Sequence, residues 1–223
     1  MQSTTELFSA IEEGNIDTVR GLISTDPSVA SAKNTGGISA VMAAMYTRRL
    51  DIVQALIGTG ITLDIFDASA IGQRSSMQSL LDANNACVTE FSTDGWTALH
   101  LAAHFNRPDI VQMLVDHGAD SNSVSHNDLA VTPLQSALAA SSTACASVLL
   151  AAGARTGATP GGSDWTSFHY VAQHGLLQII NELLESDADI NARTKDGKTP
   201  LAIAEENNQV LVANDLRAHG ATL

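Results

Sequence analysis

The sequence is poor in cysteine, in aromatic residues and in basic residues, and each shortage argues against a class of protein. Two cysteines, Cys87 and Cys145, are too few for a disulfide framework, so we expect free thiols in a reducing compartment. Aromatic residues make up only 4% of a chain that is 44% hydrophobic, so the core must be mainly aliphatic. The 11 lysines and arginines face 24 acidic residues, and a net charge of −13 disfavours nucleic-acid binding, which needs a basic surface.

The sequence also lacks a convincing membrane or targeting segment. Residues 129–154 carry no charge and are long enough to span a bilayer, but they contain Pro133 and mostly alanine and serine in place of leucine and isoleucine. The first residues show no positively charged start followed by an apolar run, which a secretory signal would need. We therefore expect a cytoplasmic protein that does not associate with a membrane.

The stretch of residues 94–122 carries the pattern around which the rest of the chain is organised. Thr97 is suited to cap a helix, and Leu99 begins a set of apolar residues at helical spacing. Pro108 is tolerated in the first turn of a helix, so it ends the first helix and starts a second. Gly118 is suited to end that second helix in the left-handed conformation. Such a helix pair with its arm needs similar neighbours to bury its apolar faces.

The same pattern recurs along the whole chain. Positions equivalent to Thr97 follow one another at intervals of 34, 24, 34, 35, 34 and 33 residues, at Thr5, Ser39, Leu63, Thr97, Thr132, Thr166 and Thr199. Twenty-one residues after each of them stands a residue that tolerates a left-handed helix C-cap, namely Asp26, Gly60, Asn84, Gly118, Gly153, Asp187 and Gly220. The helix pair therefore has a constant length, and only the connecting arm varies.

These residues resemble the ankyrin repeat. The letters GWTALHLAAH at residues 95–104 and DGKTPLAIA at residues 196–204 are similar to the family's Gly-x-Thr-Pro-Leu-His start. The resemblance covers essentially the whole chain. It implies an all-α solenoid, a single domain of about seven helix-turn-helix repeats with β-hairpin fingers at right angles to the stack. The repeats are expected near residues 5–34, 35–61, 62–92, 93–125, 126–158, 159–193 and 194–223.

Two arms depart from the pattern. The step from Gly60 to Leu63 is too short for a finger, so we predict that the finger between repeats 2 and 3 is missing. Repeats 1 and 2 align with repeats 3 and 4 at a constant offset of 58 residues, and we hypothesise a weak junction that divides the stack into repeats 1–2 and repeats 3–7. The arm before repeat 6 contains Pro160-Gly161-Gly162, a composition that predicts mobility.

No set of residues in the sequence predicts catalysis or a bound cofactor. His100 and His104 have the spacing of two zinc ligands on one helix, but no glutamate follows His100 to act as the base of a metalloprotease. The resemblance implies instead that His100 and His169 hydrogen bond helices to fingers. The sequence contains no nucleophile elbow and no phosphate-binding loop. We expect no enzymatic activity, no metal and no cofactor.

Recognition of another protein remains, and the resemblance implies that the partner lies along the concave face formed by finger tips and first-helix ends. It places these candidate partner-binding residues there: Asp94, Trp96, His104, Phe105, Asp128, Asp164, Trp165, Gln173 and His174. It also places Tyr46, Ala139 and Ala140 on that face. Aromatic side chains are typical interface anchors, although Trp96 and Trp165 can equally pack on the neighbouring finger. The acidic surroundings favour a partner segment with basic and apolar side chains.

Two functions of other classes stay open. The chain could associate with itself or bridge two partners along the stack, whereas we expect a monomer. A concentration-dependent dimer in light scattering would favour self-association. A small metal protein or enzyme would depend on His100 or His104, and alanine substitution of either would then remove bound zinc or turnover.

Overall fold

The computed structural model describes residues 2–159, 162 and 164–223. This part of the chain forms fourteen α-helices, which confirms the predicted all-α class. Their bounds are Gln2–Glu13 (α1), Ile16–Thr25 (α2), Ala40–Tyr46 (α3), Leu50–Ile57 (α4), Ile65–Ile71 (α5), Arg74–Ala83 (α6), Ala98–His104 (α7), Pro108–Asp116 (α8), Pro133–Ala139 (α9), Thr143–Ala151 (α10), Ser167–His174 (α11), Ile180–Glu185 (α12), Pro200–Glu206 (α13) and Val210–Ala218 (α14). Short 3-10 helices cover Pro27–Ser31, Asn85–Thr89 and Leu177–Ile179.

The helices pack in pairs, and the pairs stack in two rows. Odd-numbered helices pack against one another from α1 to α13, and each even-numbered helix packs on the odd-numbered helix before it. A left-handed residue in the turn, such as Asn106 with φ of 56°, sends the chain back along the second helix. One continuous apolar core runs between the rows and fully buries Leu99, Leu134 and Phe168. Each pair is thus stabilised by burial against its neighbours, as in a solenoid.

Polar side chains cap the first helices at most of the predicted positions. Confirmed caps precede α3, α7, α9, α11 and α13, at Ser39, Thr97, Thr132, Thr166 and Thr199. The other two equivalent positions are not caps, because Thr5 lies inside α1 and Leu63 is buried one residue before the cap of α5, Asp64. The Asp64 carboxylate accepts the N–H groups of Phe66 and Asp67 at 3.1 and 2.9 Å, which the apolar leucine side chain cannot do.

The ends of the second helices follow the prediction at most positions and depart from it at two. Backbone φ is positive, as expected, at Gly60, Gly118, Gly153, Asp187 and Gly220. Asp26 and Asn84 are extended instead, with φ of −143° and −157°. Each caps a 3-10 helix, where its side chain accepts the N–H group of Ser28 or Ala86. Asp and Asn suit both conformations, so residue type alone could not separate them.

Four arms form short hairpins, which we call fingers and name by their residue ranges. The 33–39, 91–97, 125–131 and 194–198 fingers are closed by backbone N–H to carbonyl bonds of 2.9, 2.8, 2.9 and 3.0 Å. Residues 58–64 alone join α4 to α5, and the backbone bonds described there only close the end of α4. Pro160 and Gly161, on which the predicted mobility of the arm before α11 rests, lie outside the described residues.

Candidate partner-binding surface

One side chain on each of three successive first helices bonds to the arm that precedes the next first helix. A ring nitrogen or side-chain amide bonds to the carbonyl oxygen just before the next cap, in the pairs His100 with Val131 (2.9 Å), Gln135 with Trp165 (3.1 Å) and His169 with Lys198 (3.3 Å). The predicted role of His100 and His169 in joining helices to fingers is confirmed. Because the finger backbone is fixed at this point, the side chains beside it are held in defined positions.

His100 is fully buried, and both of its ring nitrogens are engaged within the chain. Nδ1 lies 2.7 Å from the Thr97 hydroxyl, and Nε2 faces the Val131 carbonyl oxygen. Burial lowers the pKa of His100 to about 4, so the imidazole is neutral at physiological pH. The zinc alternative therefore loses His100 as a ligand, and the described residues contain no cluster of three metal-binding side chains.

The two tryptophans are half-buried and pack on the histidines that hold the fingers. The ring centroids of Trp96 and His100 are 5.6 Å apart, and those of Trp165 and His169 are 6.0 Å apart. Trp165 also meets Tyr170 edge to face at 5.4 Å. Both indoles therefore support the joint between helix and finger, which is the packing role that the sequence left open beside a role in binding.

Tyr46, at the end of α3, reaches past α5 to the 91–97 finger and the end of α7. Its hydroxyl donates to Asp94 Oδ2 at 2.5 Å, and its ring lies 6.1 Å from that of Phe105. Phe105 in turn meets His104 edge to face at 5.0 Å. Burial, together with the Asp94 carboxylate, raises the pKa of Tyr46. Ala70, the equivalent residue on α5, is small and buried, so it leaves room for these contacts.

A cleft of about 60 Å³ lies beside this aromatic group. Its lining consists of Tyr46, Trp96, His100, Leu101, His104 and Ser136. A space of that volume holds a few water molecules or one small aliphatic side chain. The lining is largely aromatic or apolar, and Tyr46 at its rim is 42% exposed. The cleft can therefore bury an apolar group that belongs to another molecule.

Small side chains follow the cleft along the stack. Ala139 at the end of α9 is exposed, and Ala140 beside it is partly exposed. Larger side chains return at the end of α11, where Gln173 is partly exposed and His174 is exposed. The surface thus has aromatic groups at α3–α7 and α11, and between them lies a stretch where the backbone of a partner can approach closely.

The three predicted carboxylates differ in what they already bind. Asp94 accepts the hydrogen bond from Tyr46. Asp164 accepts the backbone N–H of Lys195, and this bond lowers the pKa of its carboxyl group. Asp128 is exposed at the tip of the 125–131 finger. Asp94 and Asp164 therefore help to position the fingers, while Asp128 presents the most accessible charge of the three.

The structure brings together only some of the nine predicted residues. The group around the cleft contains Asp94, Trp96, His104 and Phe105. The others lie beyond it along the stack, at Asp128, Asp164, Trp165, Gln173 and His174.

Three further side chains of this surface were not among the nine. Tyr46 was placed on the concave face from the sequence, but its contact across α5 was not foreseen. Leu129 is 59% exposed beside Asp128, and Tyr170 packs on Trp165. An apolar residue inside an otherwise polar arm is the signal that could have revealed Leu129.

Stacked helix pairs with hairpin fingers define a helical-repeat solenoid. Within that class, a family model described as ankyrin repeats (3 copies) matches residues 65–160, and one described as ankyrin repeat matches residues 163–195. The chain belongs to the ankyrin repeat family. Repeats of this family generally mediate interactions between proteins and are generally non-catalytic. No described helix combines the length and the apolar character needed to cross a bilayer.

Named relatives match this chain through their repeat regions. E3 ubiquitin-protein ligase KEG from Arabidopsis thaliana is 34% identical over 143 residues, which cover 64% of this chain and 8% of that protein. The nuclear factor NF-kappa-B p105 subunit from Gallus gallus is 31% identical over 151 residues, which cover 67% of this chain and 15% of that protein. Ankyrin repeat and SOCS box protein 6 from Pongo abelii is 37% identical over 115 residues, which cover 47% of this chain and 26% of that protein. The chain thus matches a small part of each of these relatives.

Proposed function

We propose that this chain is a non-catalytic interaction module that binds a segment of another protein along the surface from α3 to α11. The observation that carries the proposal is the cleft beside Tyr46 and Phe105, where partly exposed aromatic rings surround a small apolar space. Aromatic side chains in such settings are typical hot spots, because a partner that covers them buries a large apolar area. Trp96 and His104 complete the wall of the cleft.

A partner segment with one small aliphatic side chain and neighbouring basic residues fits this surface. The aliphatic side chain occupies the cleft, and the partner backbone lies over Ala139 and Ala140. The net charge of −13, with Asp94, Asp128 and Asp164 on the finger side, attracts a basic segment. Association should therefore weaken as the salt concentration rises, and Asp128→Asn should reduce the rate of association more than it increases the rate of dissociation.

We also propose that the chain is a monomer in the cytoplasm, divided into seven repeats at the boundaries given above. Both cysteines are buried free thiols, which supports a reducing compartment. Burial raises the pKa of the Cys145 thiol to about 12, so it has little thiolate character at neutral pH. The absence of catalytic activity in this chain is part of the same proposal, and the engaged ring nitrogens of His100 support it.

The test is affinity capture from a lysate of the source organism, followed by binding measurements with the partner that is identified. Phe105→Ala removes a ring that packs on Tyr46 and His104 without touching the joints between helices and fingers. Leu211→Ala is the matched control, because it removes an apolar side chain that is 70% exposed on α14. The partner should bind wild type and control equally, and Phe105→Ala at least about tenfold more weakly.

Two outcomes would contradict this function. Equal binding of the partner by all three proteins would move the interface away from the cleft. A loss of binding with both variants would point to a different apolar surface. Circular dichroism of each variant must match that of wild type, because a loss of helix would remove binding for a trivial reason.

Self-association is the second candidate, and exposed apolar side chains on α14 favour it. Val210 and Leu211 are adjacent and are 63% and 70% exposed. A second copy of the chain could cover them. Light scattering over a wide concentration range separates the two functions. A dimer that Leu211→Ala abolishes would support self-association, whereas a constant monomer mass would reject it.

A further inference from the structure

The junction between the α3–α4 pair and the α5–α6 pair is loosely packed. Only residues 58–64 connect the two pairs, and the outer helices α4 and α6 make sparse contact. A surface depression lies beside the linker, and a cavity spans the junction on the finger side. The depression, of about 310 Å³, lies on the outer side against residues 61–63 and α6, and the cavity, of about 120 Å³, lies between the 33–39 and 91–97 fingers. Sparse contact between neighbouring helices is typical of segments that open locally.

A side-chain hydrogen bond that joins neighbouring helix pairs elsewhere is replaced at this junction by a hydrogen bond within one helix. In other pairs the residue before the second helix donates to a carbonyl oxygen near the end of the preceding first helix, as in Arg49 to Gly14, Arg107 to Ala70, Ser142 to His104 and Gln209 to Gln173. A buried apolar residue, Leu176, takes this position before α12. At the α3–α5 junction the residue is Gln73, whose side chain accepts a bond from Ser76 of its own helix.

Three polar contacts between described residues span the junction on the finger side, where Gly37 also lies close to Thr93. The Ser39 hydroxyl donates to Asp67 Oδ1 at 2.5 Å. Lys33 Nζ lies 3.2 Å from Asp64 Oδ2 in a pair that is largely exposed and so contributes little. The third contact is the bond from Tyr46 to Asp94, which places one wall of the cleft on the far side of the junction. The cleft is therefore complete only when the junction is closed.

Asp67 is the buried titratable group at the centre of this region. Its side chain is 6% exposed and lines the cavity between the fingers. Burial and the neighbouring Asp64 carboxylate raise the pKa of Asp67 to about 7, against the opposite effects of Ser39 and Lys33.

The other titratable groups near Asp67 are few. Asp94 lines the same cavity, and the charge of Asp67 contributes to the raised pKa of Tyr46. Helix α7 packs on the other side of α5 and carries His100 and His104, and Asp67 is not among the causes that shift the pKa of either imidazole in either direction. Ionised Asp67 therefore adds a negative charge to a cavity that Asp64 and Asp94 already line, with Lys33 as the cation among the described lining residues.

We propose that the α4–α5 junction is a hinge held closed by the protonated side chain of Asp67, and that loss of this proton opens the hinge and draws Tyr46 away from the cleft. Opening admits water to the Asp64 and Asp67 carboxylates and relieves their repulsion. Only the consequence for partner binding rests on the proposed function, because opening itself requires no partner.

The direction of the pH effect follows from proton linkage. The closed junction binds the Asp67 proton more tightly than the open junction, where the carboxyl group regains its ordinary pKa of 3.8. The closed state is therefore favoured at low pH, and the equilibrium constant for opening rises by up to about tenfold per pH unit between about 4 and 7, then levels off. At neutral and alkaline pH the junction is at its loosest.

Amide hydrogen exchange between pH 5 and pH 8 tests the hinge in the full chain. Wild type is compared with Asp67→Asn, which is neutral at every pH and keeps an oxygen for Ser39, and with Asp82→Asn, which removes the same charge from an exposed site on α6. Comparison at equal pH cancels the intrinsic pH dependence of exchange. For residues 58–74, exchange in wild type relative to Asp67→Asn should increase at least about tenfold from pH 5 to pH 7.5. Asp82→Asn should follow wild type, and residues 98–111 should show no such change.

Movement of Tyr46 has its own readout. The chain has two tyrosines, Tyr46 and Tyr170, so labelling with 3-fluorotyrosine gives two fluorine resonances, which Tyr46→Phe assigns. The Tyr46 resonance should shift with the midpoint found by hydrogen exchange, while that of Tyr170 stays constant. Asp64→Asn retains the helix cap and should move the midpoint to lower pH, so the test does not depend on one variant.

A constant exchange ratio across the pH range would overturn the hinge. So would protection of residues 58–74 equal to that of residues 98–111 at pH 8. These measurements are made without a partner protein. A result that contradicts the hinge is therefore distinguishable from a result that contradicts partner binding at the cleft.

Discussion

Residues 14–60 and residues 72–118 have the same local structure 58 positions apart. Each copy begins and ends at a glycine with positive φ. Each contains a five-residue 3-10 helix and a finger with one antiparallel bridge, which joins Lys33 to Ser39 in the first copy and Phe91 to Thr97 in the second. The two copies differ in what the base of the finger meets in the next pair of helices.

The next arm decides the chemistry at the base of each finger. After the second copy, the 125–131 finger supplies a carbonyl group, and neutral His100 binds it. After the first copy, the backbone bonds described in residues 58–64 only close the end of α4, Met42 stands at the position of His100, and the Ser39 hydroxyl donates to Asp67. A titratable carboxyl group is thus bound at the base of the first finger, where a neutral hydrogen bond is made beside the second.

The largest expected difference between the copies concerns the glycine at each finger tip. A Cβ at Gly95 would lie 2.5 Å from backbone atoms of His126, whereas one at Gly37 would lie 2.8 Å from the flexible Thr93 side chain. Both residues have φ near +80°, so alanine is strained at either site. Gly95→Ala should lower the free energy of unfolding by about 3 kcal/mol or more, and Gly37→Ala by about 1–2 kcal/mol. Urea titrations measure both, and equal losses would show that the two fingers are packed alike.

The hydrogen bonds made at the bases of the two fingers, by Ser39 to Asp67 and by His100, should respond to pH in opposite directions. The pKa of His100 is lowered from 6.5 to about 4, so its contribution is present above pH 6.5 and is lost as pH falls to about 4. The loss amounts to about 3 kcal/mol. The pKa of Asp67 is raised, so its contribution is present below pH 3.8 and is lost as pH rises to about 7.

Unfolding by urea from pH 4 to pH 8 checks this contrast. His100→Gln should lose about 3 kcal/mol less than wild type on acidification, because the amide does not titrate. Asp67→Asn should lose less than wild type on alkalinisation. An acid loss in His100→Gln as large as that of wild type would assign the acid sensitivity to other histidines.

His100 and Met42 occupy equivalent positions in the two copies, and substitutions at these two positions sharpen the comparison. His100→Leu should cost about 2 kcal/mol, because it leaves the Val131 carbonyl and the Thr97 N–H without partners. His100→Gln should cost less than about 1 kcal/mol, since Gln135 already makes the equivalent bonds in the next repeat. Met42→Gln should cost about 1–3 kcal/mol by burying an amide where no finger carbonyl is available. A neutral Met42→Gln would show that the first copy still offers a hydrogen-bond acceptor.

The smallest effect separates the two helix caps. Ser39→Ala and Thr97→Ala each remove a cap and should cost about 1 kcal/mol. Ser39→Ala also removes a bond that lowers the pKa of Asp67, so the pKa of this carboxyl group should rise further. Carbon-13 NMR of the Asp67 carboxyl group follows the titration directly. An unchanged midpoint would mean that the hydroxyl bond has no role in the electrostatics of the junction.

Periodicity predicted the helices and most of their caps, because one residue type at one spacing serves one purpose. The capping residues Thr97 and Thr132 illustrate this, and the family resemblance added the bond from His100 to a finger. The predicted left-handed conformation of Asp26 and Asn84 was wrong, because the same side chains cap 3-10 helices as readily as they tolerate a left-handed turn. The choice is made by the arm that follows, which the spacing of the helix pairs does not encode.

The candidate surface was predictable residue by residue but not as a cluster. The family pattern placed Trp96, His104 and Phe105 on one face. The contact from Tyr46 joins a residue of α3 to the 91–97 finger past the small Ala70 of α5, and the spacing of the repeats does not reveal such a contact between pairs that are not neighbours. The raised pKa of Asp67 was also beyond the sequence, since it requires the neighbouring carboxylate and the enclosing cavity.

The 58-residue correspondence bears on how such a chain can lengthen. Gly60 and Gly118 close their copies with nearly equal φ of 81° and 88°. Residues 61–118 therefore form a unit that ends with the same backbone conformation, at Gly118, as the residue that precedes it, Gly60. Genetic duplication of this unit would add two repeats at a time, and each addition would carry its own short linker and its own acidic joint. Growth by this unit yields a segmented rod in which regularly spaced joints, and not the individual repeats, set how the molecule bends.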